Sequence, residues 1–374
     1  MIPVQVSLNH KKVLIIGGGK VGLRKAKLFL SEGACVYVLS HSIEEELKQY
    51  NIHWIQKNYE SNDIDGYFLV YACTDDKDVN HKIVDDCNKH NILCGSATYD
   101  DESSFYSMGY ISRDVGTLAL SMNQCLPYHK PLLNKMMKVL DDNEMRIKKL
   151  LELRPFVLQY AKNKKRYFEL LFECDEKIVD FLMNVFLSHK GYIFVYHGSE
   201  IEDCIDISYS HSIVLTIDEL MCYRELFEDI DVVIVPLVLS EGYIYNKIKN
   251  ILPNHKYTLP LLNKEDDIKS FIDMYESETK DMIYIVHPCS NHYLKETLKK
   301  NVRNDDQVIE FDEEVILSKD KSYRCVVLLI SHGTHFLELR DLFDFKIQEG
   351  YNIEYIGCLS DSESFKEFVI KKIY

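Results

Sequence analysis

The chain has 374 residues, enough for two or three domains at roughly 100–200 residues each. Hydrophobic residues make up 46% and charged residues 28%, a globular balance that excludes a disordered or collagen-like chain. The formal net charge of −15 would repel a phosphate backbone, so nucleic acid is not an expected partner. The longest uncharged apolar stretch, Val232–Ser240, is too short to span a bilayer. Val13–Ile16 gives way to glycines too early for a signal-peptide core. No membrane partner and a cytoplasmic location are therefore expected. The 11 cysteines are scattered without CxxC spacing, and Cys35 and Cys325 sit in apolar runs. Reduced core thiols are expected, not disulfides or a zinc knuckle.

In chain order, Lys12–Ile16 is a short apolar run that ends in glycines. Val21–Ser31 follows, with Val21, Leu28 and Phe29 near helical spacing, and Gly33 stands where a terminating glycine is expected. Cys35–Leu39 is apolar again, which completes a strand–helix–strand unit. Phe68–Cys73, Asp78–His90 and Ile92–Ser96 repeat the pattern, and such alternation predicts a parallel sheet. Gly116–Met122 reads as one more strand, and Pro127 and Pro131 then punctuate the chain. Leu132–Leu187 turns helical, with Leu133, Met136, Met137 and Leu140 at helical intervals. Its basic clusters, Arg146–Lys149 and Lys162–Arg166, read as solvated faces.

Strands return after Gly191, at Tyr192–Tyr196, Ile213–Leu215, Val232–Leu239, Ile283–Val286, Val326–Ile330 and Ile353–Ile356. This region holds two similar halves. Tyr192–Ser199 parallels Ile283–Ser290, each a strand ending in histidine, and Val235–Ile248 parallels Val326–Leu339. The expected fold class is α/β throughout. Residues 1–130 form a nucleotide-binding domain, 131–189 a helical connector or dimerisation region, and 190–374 a two-half α/β domain.

Gly17-Gly18-Gly19-Lys20-Val21-Gly22 matches G-x-G-x-x-G between a strand and a helix, the setting of a Rossmann-type dinucleotide site. Gly17 permits the tight turn, Gly19 lets the backbone approach a pyrophosphate, and Gly22 allows close helix packing. The N–H groups of Lys20 and Val21 open the helix toward the anion. An acid some 20 residues on would hold the ribose hydroxyls, but the second strand runs into Ser40-His41-Ser42. Ser40 is the candidate there, and NAD against NADP is not decided at that position.

Gly17–Ala26 (GGGKVGLRKA) and Ala72–Cys87 (ACTDDKDVNHKIVDDC), with Phe105, Arg113 and Leu118–Ser121 at the matching spacing, resemble precorrin-2 dehydrogenase. That is the N-terminal module of siroheme synthases, and the resemblance covers about the first 130 residues. It implies oxidation of precorrin-2 to sirohydrochlorin by NAD, with Thr74, Asp75 and Asp76 lining the cofactor pocket. It also makes the helical stretch similar to the family's dimerisation region, which implies a homodimer. The family's important aspartate falls on Thr98 in an ungapped match, with Asp100 and Asp101 just beyond it; a small loop shift brings Asp100 into the role, and Asp100 is the candidate catalytic carboxylate. The family's SSGG turn is Ser121-Met122-Asn123-Gln124 here.

His197–Ser199, Pro236–Gly242 and Ile356–Ile373 resemble the sirohydrochlorin cobaltochelatase and ferrochelatase group, a fold of two α/β halves. That resemblance implies divalent metal, Fe²⁺ or Co²⁺, as a substrate inserted by histidines. One histidine ends the first strand of a half, and the other lies in a later Gly-x-His. The second half keeps both, His287 and His335, as candidate catalytic and metal residues; the first keeps His197 but has Ile244 at the other position. Imidazole suits such metals and can accept a pyrrole proton near neutrality. His292, His332 and Glu338 are candidate supporting groups. The leading reading is a fused dehydrogenase and chelatase of siroheme biosynthesis. Two others fit the same residues: a dehydrogenase with a tetrapyrrole-binding second region or one inserting cobalt, and a nucleotide-sensing regulator without redox chemistry.

Overall fold

The computed structural model describes residues 2–98, 101–121, 126–198, 205–287, 292–330 and 334–373, without the side chains of 126–129. It divides into two compact units, Met1–Asp141 and Asp142–Tyr374.

The first unit opens with β1 (Lys12–Ile16), α1 (Lys20–Ser31), β2 (Cys35–Leu39) and β3 (His53–Ile55). β4 (Leu69–Ala72), α2 (Lys77–Lys89) and β5 (Leu93–Ser96) follow. The five strands are parallel in the order β3-β2-β1-β4-β5. Alternate residues of β1 enter opposite cores: Val13 and Ile15 pack with Phe29 of α1, Leu14 and Ile16 with Ile83 and Val84 of α2. Burial on both faces is why the strand reads as an unbroken apolar run. Gly33, with φ +76°, follows the end of α1 as expected.

The expected strand at Gly116–Met122 is β7 (Gly116–Leu120), and it does not join the parallel sheet. It pairs antiparallel with β6 (Gly109–Arg113) in a separate hairpin. The unit closes with α3 (Leu126–Asp142), which runs straight through Pro131 rather than breaking there. Proline in the first turns of a helix removes few internal hydrogen bonds. Arg113 holds the hairpin to α3 through a two-pronged contact with Asp141, at 2.9 and 3.4 Å.

The second unit begins with α4 (Glu144–Tyr160), α5 (Lys164–Glu173) and α6 (Glu176–Ser188). These helices are not a free-standing connector. Leu153, Val157, Leu171, Phe181 and Leu182 share a core with Ile193, Val195 and Leu215 of the strands that follow. The basic cluster that read as a solvated face also splits in role: Arg146 turns inward and donates to the Leu171 carbonyl at 2.7 Å, satisfying the end of α5.

The first half comprises β8 (Tyr192–Tyr196), β9 (Ser212–Thr216), α7 (Ile217–Cys222), α8 (Arg224–Phe227), β10 (Val233–Pro236), α9 (Tyr243–Ile251), β11 (Lys256–Tyr257) and α10 (Glu265–Tyr275). The second comprises β12 (Asp281–Val286), α11 (His292–Asn301), β13 (Gln307–Glu310), β14 (Ser322–Val327), α12 (Thr334–Gln348), β15 (Asn352–Ile356) and α13 (Glu363–Lys371). Their sheets run β11-β10-β8-β9 and β13-β12-β14-β15. Counted within each half, both orders are second, first, third, fourth. The duplication read from sequence is thus a duplication of topology. One core lies between the halves. Phe194, Tyr196 and Val235 meet Tyr284, Val286 and Val326 there, with Phe271 of α10 and Phe365 of α13.

All eight described cysteines are free thiols. Cys325 is buried as expected, but Cys35 is exposed at the first residue of β2. Among the described residues no helix is long and apolar enough to cross a membrane.

Candidate functional site

In an open parallel sheet, ligands bind beyond the carboxyl ends of the strands where strand order reverses. Here that point lies between β1 and β4, and a cleft of about 790 Å³ opens there. Its walls are the segments leaving β1, β2, β3 and β4. Gly17, Gly19, Ser40, Thr74, Asp75 and Asp76 all line it. Lys20, Val21 and Gly22 do not: they begin α1 behind the loop.

The glycines differ in what surrounds them. Gly17 has φ +122°, and a Cβ there would lie 2.3 Å from the Cys73 carbonyl oxygen. A Cβ on Gly22 would lie 2.2 Å from the Gly17 carbonyl oxygen, so α1 packs directly on the turn. A Cβ on Gly19 would meet nothing within 4 Å. The chain itself fills the space beside Gly17 and Gly22 and leaves open the space beside Gly19, at the end of the helix. Free amides of a helix N-terminus facing an open cradle fit a pyrophosphate.

The wall from β4 is built by local hydrogen bonds. The Thr74 N–H donates to Asn80 Oδ1 at 3.0 Å, and Asn80 Nδ2 donates back to the Thr74 carbonyl at 3.0 Å. Asn80 is fully buried, so both its polar ends need these partners. Asp76 caps α2, accepting from the N–H groups of Asp78 and Val79 at 2.9 and 3.3 Å. Asp75 stays exposed on the cleft wall. Asp100 lies outside the described residues. Thr98 bonds Ser96 at 3.0 Å just past β5, and Asp101 is exposed. Phe105 packs on β5 where a Cβ at Gly95 would stand 2.6 Å from its ring.

Sequence reading missed Glu44, Lys57, Tyr59 and Lys82, which also line the cleft. Lys57 and Tyr59 follow β3, a strand too short to show a period, whereas Glu44 follows β2 and Lys82 stands on α2. It also placed Lys25 only within a motif. Lys25 is 5% exposed, donates to Ser107 Oγ at 2.5 Å and lies 4.4 Å over the Tyr71 ring. Burial, and then the Arg24 charge, push its amine down to about 8 against a smaller upward pull from Cys73.

In the second unit, His287 stands one residue past β12 and His335 is the second residue of α12. Their rings face each other with centroids 5.4 Å apart. Phe311, after β13, packs on His335 at 4.7 Å, and Glu338 Oε2 lies 3.4 Å from its Nδ1. Burial, and secondarily His335, hold the His287 imidazole below its ordinary value, so it favours the neutral form that binds metal. His197 occupies the matching place past β8, and Ile244, second residue of α9, matches His335. His292 begins α11 in an exposed position, and His332 lies outside the described residues. Among the described residues, no group of three His, Cys, Asp or Glu side chains is placed to hold a metal.

Residues 4–108 match a family model described as putative NAD(P)-binding. A precorrin-2 dehydrogenase of Bacillus subtilis is 30% identical over 161 residues, 41% of this chain and 98% of that protein. A siroheme synthase of Photorhabdus laumondii is 34% identical over 124 residues, and the match spans only 26% of its length. The solved sirohydrochlorin chelatase SirB of Bacillus subtilis aligns with 49% of this chain and 93% of its own at 13% identity, with a TM-score of 0.33. Carrying the glycine cradle and the Thr74–Asn80 wall within that near-complete match, the chain belongs to the precorrin-2 dehydrogenase family through its N-terminal region.

Proposed function

We propose that the chain catalyses consecutive steps of siroheme biosynthesis. Its first unit oxidises precorrin-2 to sirohydrochlorin with NAD⁺, and its second inserts Fe²⁺. The observation that carries the first step is the glycine cradle, open only at Gly19, in a chain that covers nearly all of a precorrin-2 dehydrogenase. A bound dinucleotide supplies the hydride acceptor. The chain's own part is to hold it and orient the substrate. Gly17, Gly19 and the first amides of α1 take the pyrophosphate, Ser40 lies toward the ribose, and Thr74, Asp75 and Asp76 wall the pocket. Substrate oxidation also releases a proton, for which Asp100 is the proposed acceptor.

The second step is supported by the His287–His335 pair at equivalent strand and helix ends. Metal insertion needs ligands for a divalent ion and a base for two pyrrole protons. A neutral His287 can serve in either role, with His335 beside it and Glu338 as a further acceptor. His197 is proposed as an additional metal contact from the first half. Imidazole suits Co²⁺ as well as Fe²⁺, so both ions enter the test. A second unit that only binds the tetrapyrrole is favoured by one observation, Ile244 in place of a second histidine in the first half.

The proposal extends to a cytoplasmic homodimer. Leu132, Met136 and Val139 form an exposed apolar stripe along α3 that supports a partner copy. The deciding assay is anaerobic absorbance with precorrin-2 and NAD⁺, followed by Fe²⁺ or Co²⁺. NADH and sirohydrochlorin should form before metal is added, and a faster-than-spontaneous spectral change should follow it. Oxidation without that change would leave the binding-only second unit. No oxidation would remove the dehydrogenase reading.

A further inference from the structure

In dinucleotide folds, an acid after the second strand accepts from the adenosine ribose hydroxyls, whereas a cation there takes a 2′-phosphate. Here β2 ends at Leu39, and Ser40-His41-Ser42 carry no acid. The chain then folds back onto the glycine loop. The Glu44 N–H donates to the Gly18 carbonyl at 2.9 Å. A Cβ on Gly18 would lie 2.2 Å from the Ser42 carbonyl oxygen and 2.7 Å from the Ile43 side chain. Glu44 is thereby fixed against the loop that opens α1, and it lines the cleft.

Its neighbours are already engaged. Glu45 pairs with Lys48 at 2.6 Å and Glu46 with Lys27 at 2.5 Å. The Glu44 carboxylate takes no hydrogen bond or ion pair among the described residues. Lys57, on the same cleft wall, is neutralised by Glu60 and Asp63 at 3.1 and 2.8 Å. Lys82, the cleft's other cation outside the glycine loop, stands on α2 with its amine 5.9 Å from the Tyr59 ring.

We infer that the Glu44 carboxylate accepts from the adenosine ribose hydroxyls and selects NAD against NADP. Two hydroxyl donors satisfy it, whereas a 2′-phosphate removes one donor and sets like charges together. The inference rests on reading the cleft as a dinucleotide site.

The test is direct binding to the full chain. Trp54 is the sole tryptophan, and its indole N–H donates to the Ser40 carbonyl at 2.9 Å, so its emission reports on this wall. NADH and NADPH are titrated separately against wild type, Glu44→Gln and Glu46→Gln, the last a neighbouring acid outside the cleft lining. Wild type should favour NADH by about tenfold or more, the worth of a charge-assisted pair. Glu44→Gln should weaken NADH and bring the two affinities together, while Glu46→Gln keeps the wild-type ratio. A ratio that Glu44→Gln leaves unchanged, or that both variants move alike, overturns the assignment. Equal wild-type affinities overturn it too, and leave the dinucleotide site standing. Binding of neither nucleotide removes the site as well as the assignment.

Discussion

At Gly19 a methyl group meets open space, while at Gly17 it would strike the Cys73 carbonyl from a left-handed backbone. Gly19→Ala should therefore leave the thermal midpoint nearly unchanged and weaken NADH binding by about tenfold or more, since the methyl occupies the pyrophosphate's approach. Melting curves and fluorescence titration on one sample check both halves of that expectation. Lys25 poses a different question. Its amine titrates near 8 in the folded chain, against about 10.4 when unfolded. The unfolded chain binds more protons between those values, so wild type gains stability as pH rises through that window and loses it on the way down. Lys25→Met carries no such proton. It should lie within about 1 kcal/mol of wild type at neutral pH, because an apolar chain of similar size replaces a buried charge. The gap should then move in wild type's favour between pH 8 and 10. A constant gap in pH-dependent melts would contradict the depressed amine.

Elements set these residues in place through their ends more than their interiors. α2 begins at the capping carboxylate of Asp76 and keeps Thr74 in position through Asn80. Asp76→Ala should cost about 1 kcal/mol of stability, the usual worth of such a cap. Denaturant unfolding measures the loss. NADH affinity should fall with it, because the β4 wall shares that turn. The helix α12 works similarly: by starting at Thr334 it turns His335 toward His287, past the end of β12. The corresponding helix α9 presents Ile244 and supplies no ligand.

On the scale of the whole molecule, the two proposed chemistries fall on separate units. His335→Ala should slow metal insertion by about a hundredfold, the range of a lost acid–base group. It should leave NADH formation from precorrin-2 unchanged, because His335 belongs to the second unit. Parallel assays of both steps on the same variant read this out, and equal loss of both would argue against independent sites. Within the second unit the matching strand orders explain why a shared core forms. The first half buries one sheet face largely under α4, α5 and α6 and the second under α12, and the other faces share one core, so neither half covers its apolar surface alone.

Local pattern was enough to reveal the glycine fingerprint, both βαβ units, the repeat after Gly191 and the alignment of His287 with His197. Each of these depends on near neighbours in the chain: turn chemistry, period, and runs of residues buried on both faces. Contacts distant in sequence decided the rest. β3, β11 and β13 are two to four residues long and exist because neighbouring strands complete their hydrogen bonds. The hairpin pairing of β7 and the docking of α4, α5 and α6 onto a later sheet also depend on distant partners. Lys25 lies buried because Ser107 and Tyr71 close over it. Glu44 reaches the cleft because the chain after β2 folds back onto Gly18, a contact that no spacing rule for the second strand encodes.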